Sequence, residues 1–339
     1  MSELGGAPVG PVVAPPAAAG VRPLEQAPAF SIVITAYEAA ATIAAAVRSS
    51  LGQTHPAHEV IVVDDGSKDD LTSALAPFEG QISVVRKQNG GGASARNAGV
   101  AAASGEFMAI LDADDTYQPR RLEALASLAR ARPDLDLLTT DARFVVDGKG
   151  VGSFSAHNEF SAGDQRAAIF ANCFVGGWPA VRLSRLAEIG GFDEQMRIAY
   201  DWDCWLRLIL HGAIAGMVDE PLYDYVLHSG SLASSRVASL WERVRLLEKA
   251  RINPLLREDE KPLVEAAIRR RRNEAVLEET KAVLDGAMPR RHLLDLALAG
   301  GTGLRERGLA GLALTAPPLA RRVVSTRLPP EQRFAESES

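Results

Sequence analysis

From Phe30 onward the chain alternates short apolar runs with stretches whose apolar positions recur every three or four residues. Phe30–Thr35 (FSIVIT), Glu59–Val63 (EVIVV) and Glu106–Leu111 (EFMAIL) are short and rich in β-branched or large apolar residues, the pattern of buried strands, and Ile82–Arg86 reads as a further strand. Between them, Thr42–Leu51, Asp69–Phe78 and Ala93–Ala103 have helical spacing. Strands alternating with helices predict right-handed crossovers and a mainly parallel sheet. Further along, Leu137–Val146 and the surroundings of Val181 read as less regular strands, Gly190–Glu194 as a tight turn, Tyr200–Leu210 as a helix and Gly216–Val226 as a closing strand pair. Beyond Arg236 the pattern turns helical, with Val237–Leu255, Lys261–Leu284 and a weaker stretch from His292 to Val324. No internal repeat is present.

Residues 1–28 are Ala, Pro, Gly and Val with few charges, a composition that resists helix and sheet alike and predicts a disordered extension. The expected organisation is therefore an extension at 1–28, an α/β domain at 29–235 and a helical region at 236–339. A length of 339 residues suits one large domain plus an appendage. The apolar share of 47% and charged share of 24% are ordinary for a globular chain.

Charge changes the picture in one respect. The net charge of −6 argues against a general nucleic-acid binder. From Arg236 to Arg333 there are 20 Lys and Arg against 13 Asp and Glu, so this stretch carries +7 and the remainder −13. An acidic body suits a metal site, and a basic tail suits anionic partners or simply solvated helix faces. The two cysteines, Cys173 and Cys204, have no metal or redox spacing, which fits a reducing compartment. There is no apolar run of about 18 residues and no signal-peptide pattern, so a cytoplasmic location is expected. Apolar HLLDLALA (292–299) and LAGLAL (309–314), flanked by Arg290, Arg291, Arg305, Arg307, Arg321, Arg322 and Arg327, have the make-up of interfacial helices. Peripheral membrane contact through 290–328 is one expectation for them; packing on the chain's own domain is the other.

The candidate chemistry lies at strand ends. The second strand runs into Asp64-Asp65-Gly66-Ser67 and the fourth into Asp112-Ala113-Asp114-Asp115. Ligands of parallel α/β sheets bind beyond the carboxyl ends of the strands. One such acidic cluster would mark only a turn; two in one α/β unit point to a site. Asp112 and Asp114 offer hard oxygen ligands suited to Mg²⁺ or Mn²⁺.

The order Thr35-Ala36-Tyr37, VVDDGS (62–67), NGGGASARN (89–97), LDADD (111–115), GGFDE (190–194) and DWDCWLR (201–207) resembles the inverting family 2 glycosyltransferases of the GT-A fold, bacterial surface-polysaccharide type, over roughly residues 29–232. The resemblance implies an α/β GT-A fold with a Rossmann-like, mainly parallel central sheet flanked by helices, here with a helical C-terminal extension. It implies transfer of a sugar from a nucleotide-diphosphate sugar, a UDP-sugar by family habit, to a saccharide or lipid-linked acceptor with a divalent cation. By the same resemblance Asp114 is the metal ligand, Asp112 reaches the ribose or the metal shell, and Asp65 hydrogen-bonds the base. Thr35 and Tyr37 are their neighbours, Tyr37 stacking on the base, and Arg96 steadies the donor. Asp201 matches the general base. The family motif usually reads Glu-Asp, whereas Tyr200 precedes Asp201 here, which leaves Asp203 as a rival base. His228 lies where relatives place a histidine near metal or diphosphate, although the arginine often found two residues earlier is Val226 here. Trp178 and Trp202 are candidates for the acceptor pocket.

Two other functions stand as alternatives. A sugar-phosphate nucleotidyltransferase would be expected to carry a Gly-rich loop after its first strand, where this chain has Thr35-Ala36-Tyr37-Glu38. A non-catalytic nucleotide-sugar-binding module would have no use for the full set of Asp65, Asp112, Asp114 and Asp201.

Overall fold

A computed structural model describes residues 10–227, 232–298 and 304–327. The chain forms two compact units, Met1–Ser229 with Lys249–Val264, and Gly230–Glu248 with Glu265–Ser339.

The first unit is built on a ten-stranded sheet. Its strands are β1 (Val12–Val13), β2 (Phe30–Ala36), β3 (Glu59–Asp64), β4 (Ser83–Arg86), β5 (Phe107–Asp112), β6 (Thr116–Tyr117), β7 (Leu137–Val146), β8 (Lys149–Ser153), β9 (Ala180–Arg182) and β10 (Ala215–Val226). The order across the sheet is β1-β10-β7-β9-β5-β2-β3-β4, with β6 on β10 and β8 on β7. The half β5-β2-β3-β4 is parallel, as is β7 on β10. Three-residue β9 lies between β5 and β7 and runs antiparallel to both. Helices α1 (Ile43–Leu51), α2 (Leu71–Leu75), α3 (Gly92–Ala102), α4 (Arg121–Ala131), α5 (Gln165–Ala171), α6 (Leu183–Glu188) and α7 (Tyr200–Leu210) complete it. One face of the sheet packs Ile32, Ile34, Val60, Val62 and Leu111 against Ile43 and Val47 of α1 and Leu122 and Leu125 of α4. All of these are buried, and so are Val33, Ile61, Val63 and Ile110 of the opposite face, so β2, β3 and β5 are covered on both sides, whereas the edge strand β4 is mostly exposed.

Parallel pairing aligns the strand ends. Thr35 lies opposite Asp112 on one side and Val63 on the other, and Ala36 lies opposite Asp64. The TAY, DDGS and LDADD segments therefore leave the sheet along the same edge. Gly66 is needed in the second of these turns: its φ is +80°, and a Cβ there would stand 2.7 Å from the backbone nitrogen of Asn89.

Three expectations are corrected. Residues 10–28 are not a disordered extension. Val12 and Val13 pair antiparallel with Val218 and Met217, Asp219 N–H donates to the Pro11 carbonyl, Arg132 to that of Pro15, and Leu24 N–H to that of Arg130. β10 would otherwise leave a row of unpaired backbone groups at the sheet edge, and an extended Pro- and Val-rich segment is suited to cover it. Residues 1–9 lie outside the described residues. Second, Gly216–Val226 is not a strand pair but part of one long strand, whose pairing with β7 is irregular around Pro221; proline lacks the N–H that a regular ladder needs. Third, the helix expected over Asp69–Phe78 is a short α2, capped by the Asp70 carboxylate on Ser73 N–H, followed by a 3₁₀ turn over Ala76–Phe78 containing Pro77.

Of the C-terminal helices, α8 spans Leu232–Arg251, α9 Lys261–Leu284, α10 Arg291–Leu298, α11 Leu304–Thr315 and α12 Pro317–Arg327. In the second unit Leu293, Leu296, Leu309, Ala310, Ala313, Ala320 and Val324 are buried in one cluster with Val276 and Val283 of α9. The apolar positions that suggested interfacial helices thus mostly face one another and α9. The arginines Arg290, Arg291, Arg321 and Arg322 stay exposed. Among the described residues no helix is long and apolar enough to cross a membrane.

Candidate active site

Beyond the ends of β2 and β5 lies a cavity of about 480 Å³ whose walls include Thr35, Tyr37, Glu38, Thr42, Asp112, Asp114, Asp115, Tyr200 and Tyr225. Thr35 and Asp112 face each other across the β2–β5 register, and the Thr35 hydroxyl donates to Asp112 Oδ1 at 3.0 Å. Tyr37 is 50% exposed, so its ring is a cavity wall and not core. The loop that carries it is held by three hydrogen bonds to the turn after β3. Glu38 N–H donates to Ser67 Oγ, Ala40 N–H to Asp69 Oδ2, and Lys68 N–H to Glu38 Oε1. Glu38 has a φ of +52°, an uncommon backbone for a non-glycine residue; nothing in its sequence neighbourhood announces it.

Behind Asp112 stands Arg96 of α3, 2% exposed, with Nη2 at 3.3 and 3.4 Å from the two Asp112 oxygens. Its guanidinium carbon is 4.9 Å from the centre of the Tyr200 ring and 5.7 Å from that of Phe192. Burial works against its charge, but Tyr200, Asp112 and Asp201 outweigh it and hold the guanidinium more firmly protonated than usual. Nε and Nη1 of Arg96 are buried without a hydrogen-bond partner among the described residues. Arg96 does not line the cavity; it braces the carboxylate that does.

Asp114 is exposed at the cavity, whereas Asp115 turns inward. The Tyr223 hydroxyl and the Val226 N–H each donate to Asp115 at 2.7 Å, tying β10 to the acidic turn. Burial above all, then the Asp112 charge, pushes its carboxyl up to about 8, and its two hydrogen bonds make Asp115 a tether.

Asp201 opens α7 directly after Tyr200. Its Oδ1 accepts from Trp202 N–H at 2.7 Å. Burial raises its pKa above the ordinary carboxylate value, and Arg96 partly offsets this. Asp201 does not line the cavity itself, but Tyr200 beside it does. A Cβ on Gly177 would stand 3.1 Å from Asp201 Oδ2, so the glycine backbone passes close to the free oxygen edge.

Several expected roles are not met by the geometry. Asp65 does not line the cavity: its carboxylate accepts from Lys87 Nζ at 2.6 Å, Gly90 N–H at 3.0 Å and Gly91 N–H at 2.8 Å, and so holds the glycine loop. Trp178 is core, stacked on Tyr223 with centroids 5.0 Å apart and donating to the Thr140 carbonyl. Trp202 is core as well, 3% exposed, with its indole N–H on the Ile169 carbonyl. Neither reaches an acceptor pocket, because a buried indole with a satisfied N–H is a packing element. Trp205 is core as well. His228 lies outside the described residues. Tyr200, Tyr225 and Glu38 are cavity residues that sequence reasoning did not assign; the one signal was Tyr200 standing where the family motif has glutamate.

Asp203 is removed as a rival base. It is 2% exposed and bonded to Arg207 at 2.8 Å and Lys249 at 2.6 Å. Asp203→Asn is expected to destabilise the fold by about 3 kcal/mol, the low end for a broken buried pair, since Lys249 is itself 35% exposed. Denaturant titration should reveal this loss, while transfer by the folded fraction stays close to wild type; a fully stable but inactive variant would restore Asp203 as the base.

Residues 31–184 match the model of glycosyl transferase family 2. This part of the chain belongs to that family. Its relatives include the succinoglycan biosynthesis protein ExoU of Rhizobium meliloti, 30% identical over 224 residues, which cover 60% of this chain and 64% of ExoU. Among solved structures, S. aureus TarS 1–349 in complex with UDP-GlcNAc has a TM-score of 0.60 at 20% identity, covering 87% of this chain and 90% of that one. The mannosyltransferase PcManGT from Pyrobaculum calidifontis, in complex with GDP-Man and Mn²⁺, has a TM-score of 0.57 at 21% identity, covering 90% and 86%. These likenesses establish the GT-A fold. The chain spans 58%, 59% and 64% of the length of three curated relatives, two uncharacterized Rickettsia glycosyltransferases and ExoU.

Proposed function

We propose that this chain transfers a sugar from a nucleoside diphosphate sugar, a UDP-sugar in the first instance, to an acceptor hydroxyl with inversion at the anomeric carbon. The observation that carries this reading is the meeting, at one cavity, of Thr35 and Tyr37 from β2, Asp112 and Asp114 from β5, and Tyr200 from the start of α7, with Asp201 next in the chain. TarS and PcManGT, solved with UDP-GlcNAc and GDP-Man, support the donor class, and ExoU, a succinoglycan biosynthesis protein, supports a role in polysaccharide synthesis.

The residues fit a divalent cation. Among the described residues no three His, Cys, Asp or Glu side chains form a ready-made metal cluster. Asp112, 36% exposed, and Asp114 nevertheless give two hard carboxylates facing open space. Mg²⁺ is commonly held by one or two carboxylates plus the phosphates of the substrate. In this reading Asp114 and Asp112 hold Mg²⁺ or Mn²⁺, which when bound neutralises charge on the diphosphate leaving group. The exposed Tyr37 ring offers a face to the base. Arg96 holds Asp112 in place and counters the negative charge around it. Asp201 accepts the acceptor proton as the hydroxyl attacks. With one base and no second carboxylate placed as nucleophile, a single displacement and inverted product follow. Asp65 contributes through the glycine loop it holds.

Thermal unfolding with UDP, GDP and dTDP sugars plus Mn²⁺ tests the reading. A ligand at about 100 times its Kd adds roughly 2.7 kcal/mol, so UDP-sugars are expected to raise Tm by several degrees, only when Mn²⁺ is present. No shift with any of the three nucleotides would sink the proposal.

A further inference from the structure

Glycine at position 92 has no backbone reason to be glycine. It opens α3 and does not adopt a positive φ, unlike Gly91 before it at +87°. Its neighbour supplies the reason. A Cβ at 92 would stand 2.4 Å from the hydroxyl of Tyr200 and 2.8 Å from the ring carbon that carries it. Tyr200 therefore lies on the bare backbone of α3. One turn along the same helix, Arg96 packs against the same tyrosine ring and donates to Asp112. Phe192 also packs near the guanidinium, and is pinned by Asn97 of α3, whose amide bonds both the N–H and the carbonyl of Phe192.

We infer that Tyr200 is a positioning residue of the donor site: its ring, seated on Gly92, holds the Arg96 guanidinium against Asp112. Three facts meet in this. Two of the Arg96 nitrogens have no hydrogen-bond partner among the described residues, so polar contacts alone do not fix the side chain, and the aromatic faces supply the missing constraint. Asp112 is the one carboxylate of the cavity wall that Arg96 touches. Tyr200 also forms part of that wall. The inference rests on the donor-site reading above and assigns the third glycine of the GGG loop to tyrosine packing, not to phosphate approach.

The device depends on the ring and not on the hydroxyl, so the expected results are asymmetric. Tyr200→Leu is expected to weaken binding of UDP with Mn²⁺, measured by calorimetry, by about tenfold, the scale of a desolvated cation–π contact. The donor KM should rise with it, while kcat at saturating donor falls by less than about threefold. Tyr200→Phe should recover most of the affinity that leucine loses. Gly92→Ala should weaken UDP binding like Tyr200→Leu, and adding it to Tyr200→Leu should cost little more, because the contact is already gone. Gly92→Ala attacks the contact from the other side with the tyrosine in place, so loss of fold in the leucine variant does not shelter the proposal. It is overturned if Tyr200→Leu binds as wild type does, if its loss lies in kcat alone, if phenylalanine is as weak as leucine, or if the two changes add in full. Wild-type protein that binds no nucleoside diphosphate would overturn the donor reading itself, and this inference with it.

Discussion

Asp201→Asn is expected to lower kcat for transfer by about a thousandfold, within the range for loss of a positioned general base, while the Kd for UDP with Mn²⁺ stays within about twofold. The change is nearly isosteric, and Asp201 Oδ1 accepts from its neighbour's backbone, Trp202 N–H; an amide oxygen can accept it too. The geometry also sets the pH behaviour. Burial raises the Asp201 pKa and Arg96 lowers it, with a net upward shift. A base works ionised, so transfer should fall as pH drops through that raised pKa, at higher pH than an ordinary carboxylate near 3.9 would give. Arg96→Met removes the offsetting charge and should move this limb further upward. A wild-type profile flat down to pH 4, or full turnover by Asp201→Asn, would remove Asp201 from the reaction.

Asp114→Ala should lower turnover at saturating Mn²⁺ by about three orders of magnitude, corresponding to several kcal/mol of charge stabilisation at the leaving group. The fold should be indifferent. Asp114 is exposed, and surface substitutions usually change stability by no more than about 0.5 kcal/mol, so the thermal midpoint is expected to stay within a few degrees. Asp115→Asn should behave differently, because Asp115 is buried and tethers Tyr223 and Val226; its effect should appear in stability first. EDTA should abolish wild-type turnover and Mn²⁺ should restore it. Activity that survives complete chelation, or an active Asp114→Ala variant, would leave the carboxylates without a metal role.

Local pattern carried the architecture. The apolar runs at 30–35, 59–63 and 106–111 became β2, β3 and β5 with small changes at their ends, because a strand buried on both faces must be apolar throughout; the run at 82–86 became β4, a mostly exposed strand at the sheet edge. Alternation with helices gave parallel pairing, and parallel pairing brought the segments after β2, β3 and β5 to one edge. The motif order then led to family 2 before any contact was known. Side-chain orientation was not legible in the same way. Tyr37 and Trp178 are both aromatic candidates for the site in the sequence, yet one is half exposed and the other stacks under Tyr223.

By itself, then, the sequence determined the strand run and the edge of the sheet at which Asp112 and Asp114 lie. Tertiary structure alone decided how the charges are shared. Asp65 faces Lys87 and two glycine amides, Asp203 faces Arg207 and Lys249, and Asp115 faces Tyr223. Arg207 stands one helical turn from Asp203, but the other partners stand 22 to 108 positions away in the chain, and no periodicity encodes such separations. The same holds for Val12 and Val13, whose place at the sheet edge is set by the unpaired groups of β10, more than 200 residues on. Hydrophobic pattern records how deeply a backbone segment is buried. Which polar group meets which is settled only when distant segments pack, because a buried charge must find its partner wherever the fold has put one.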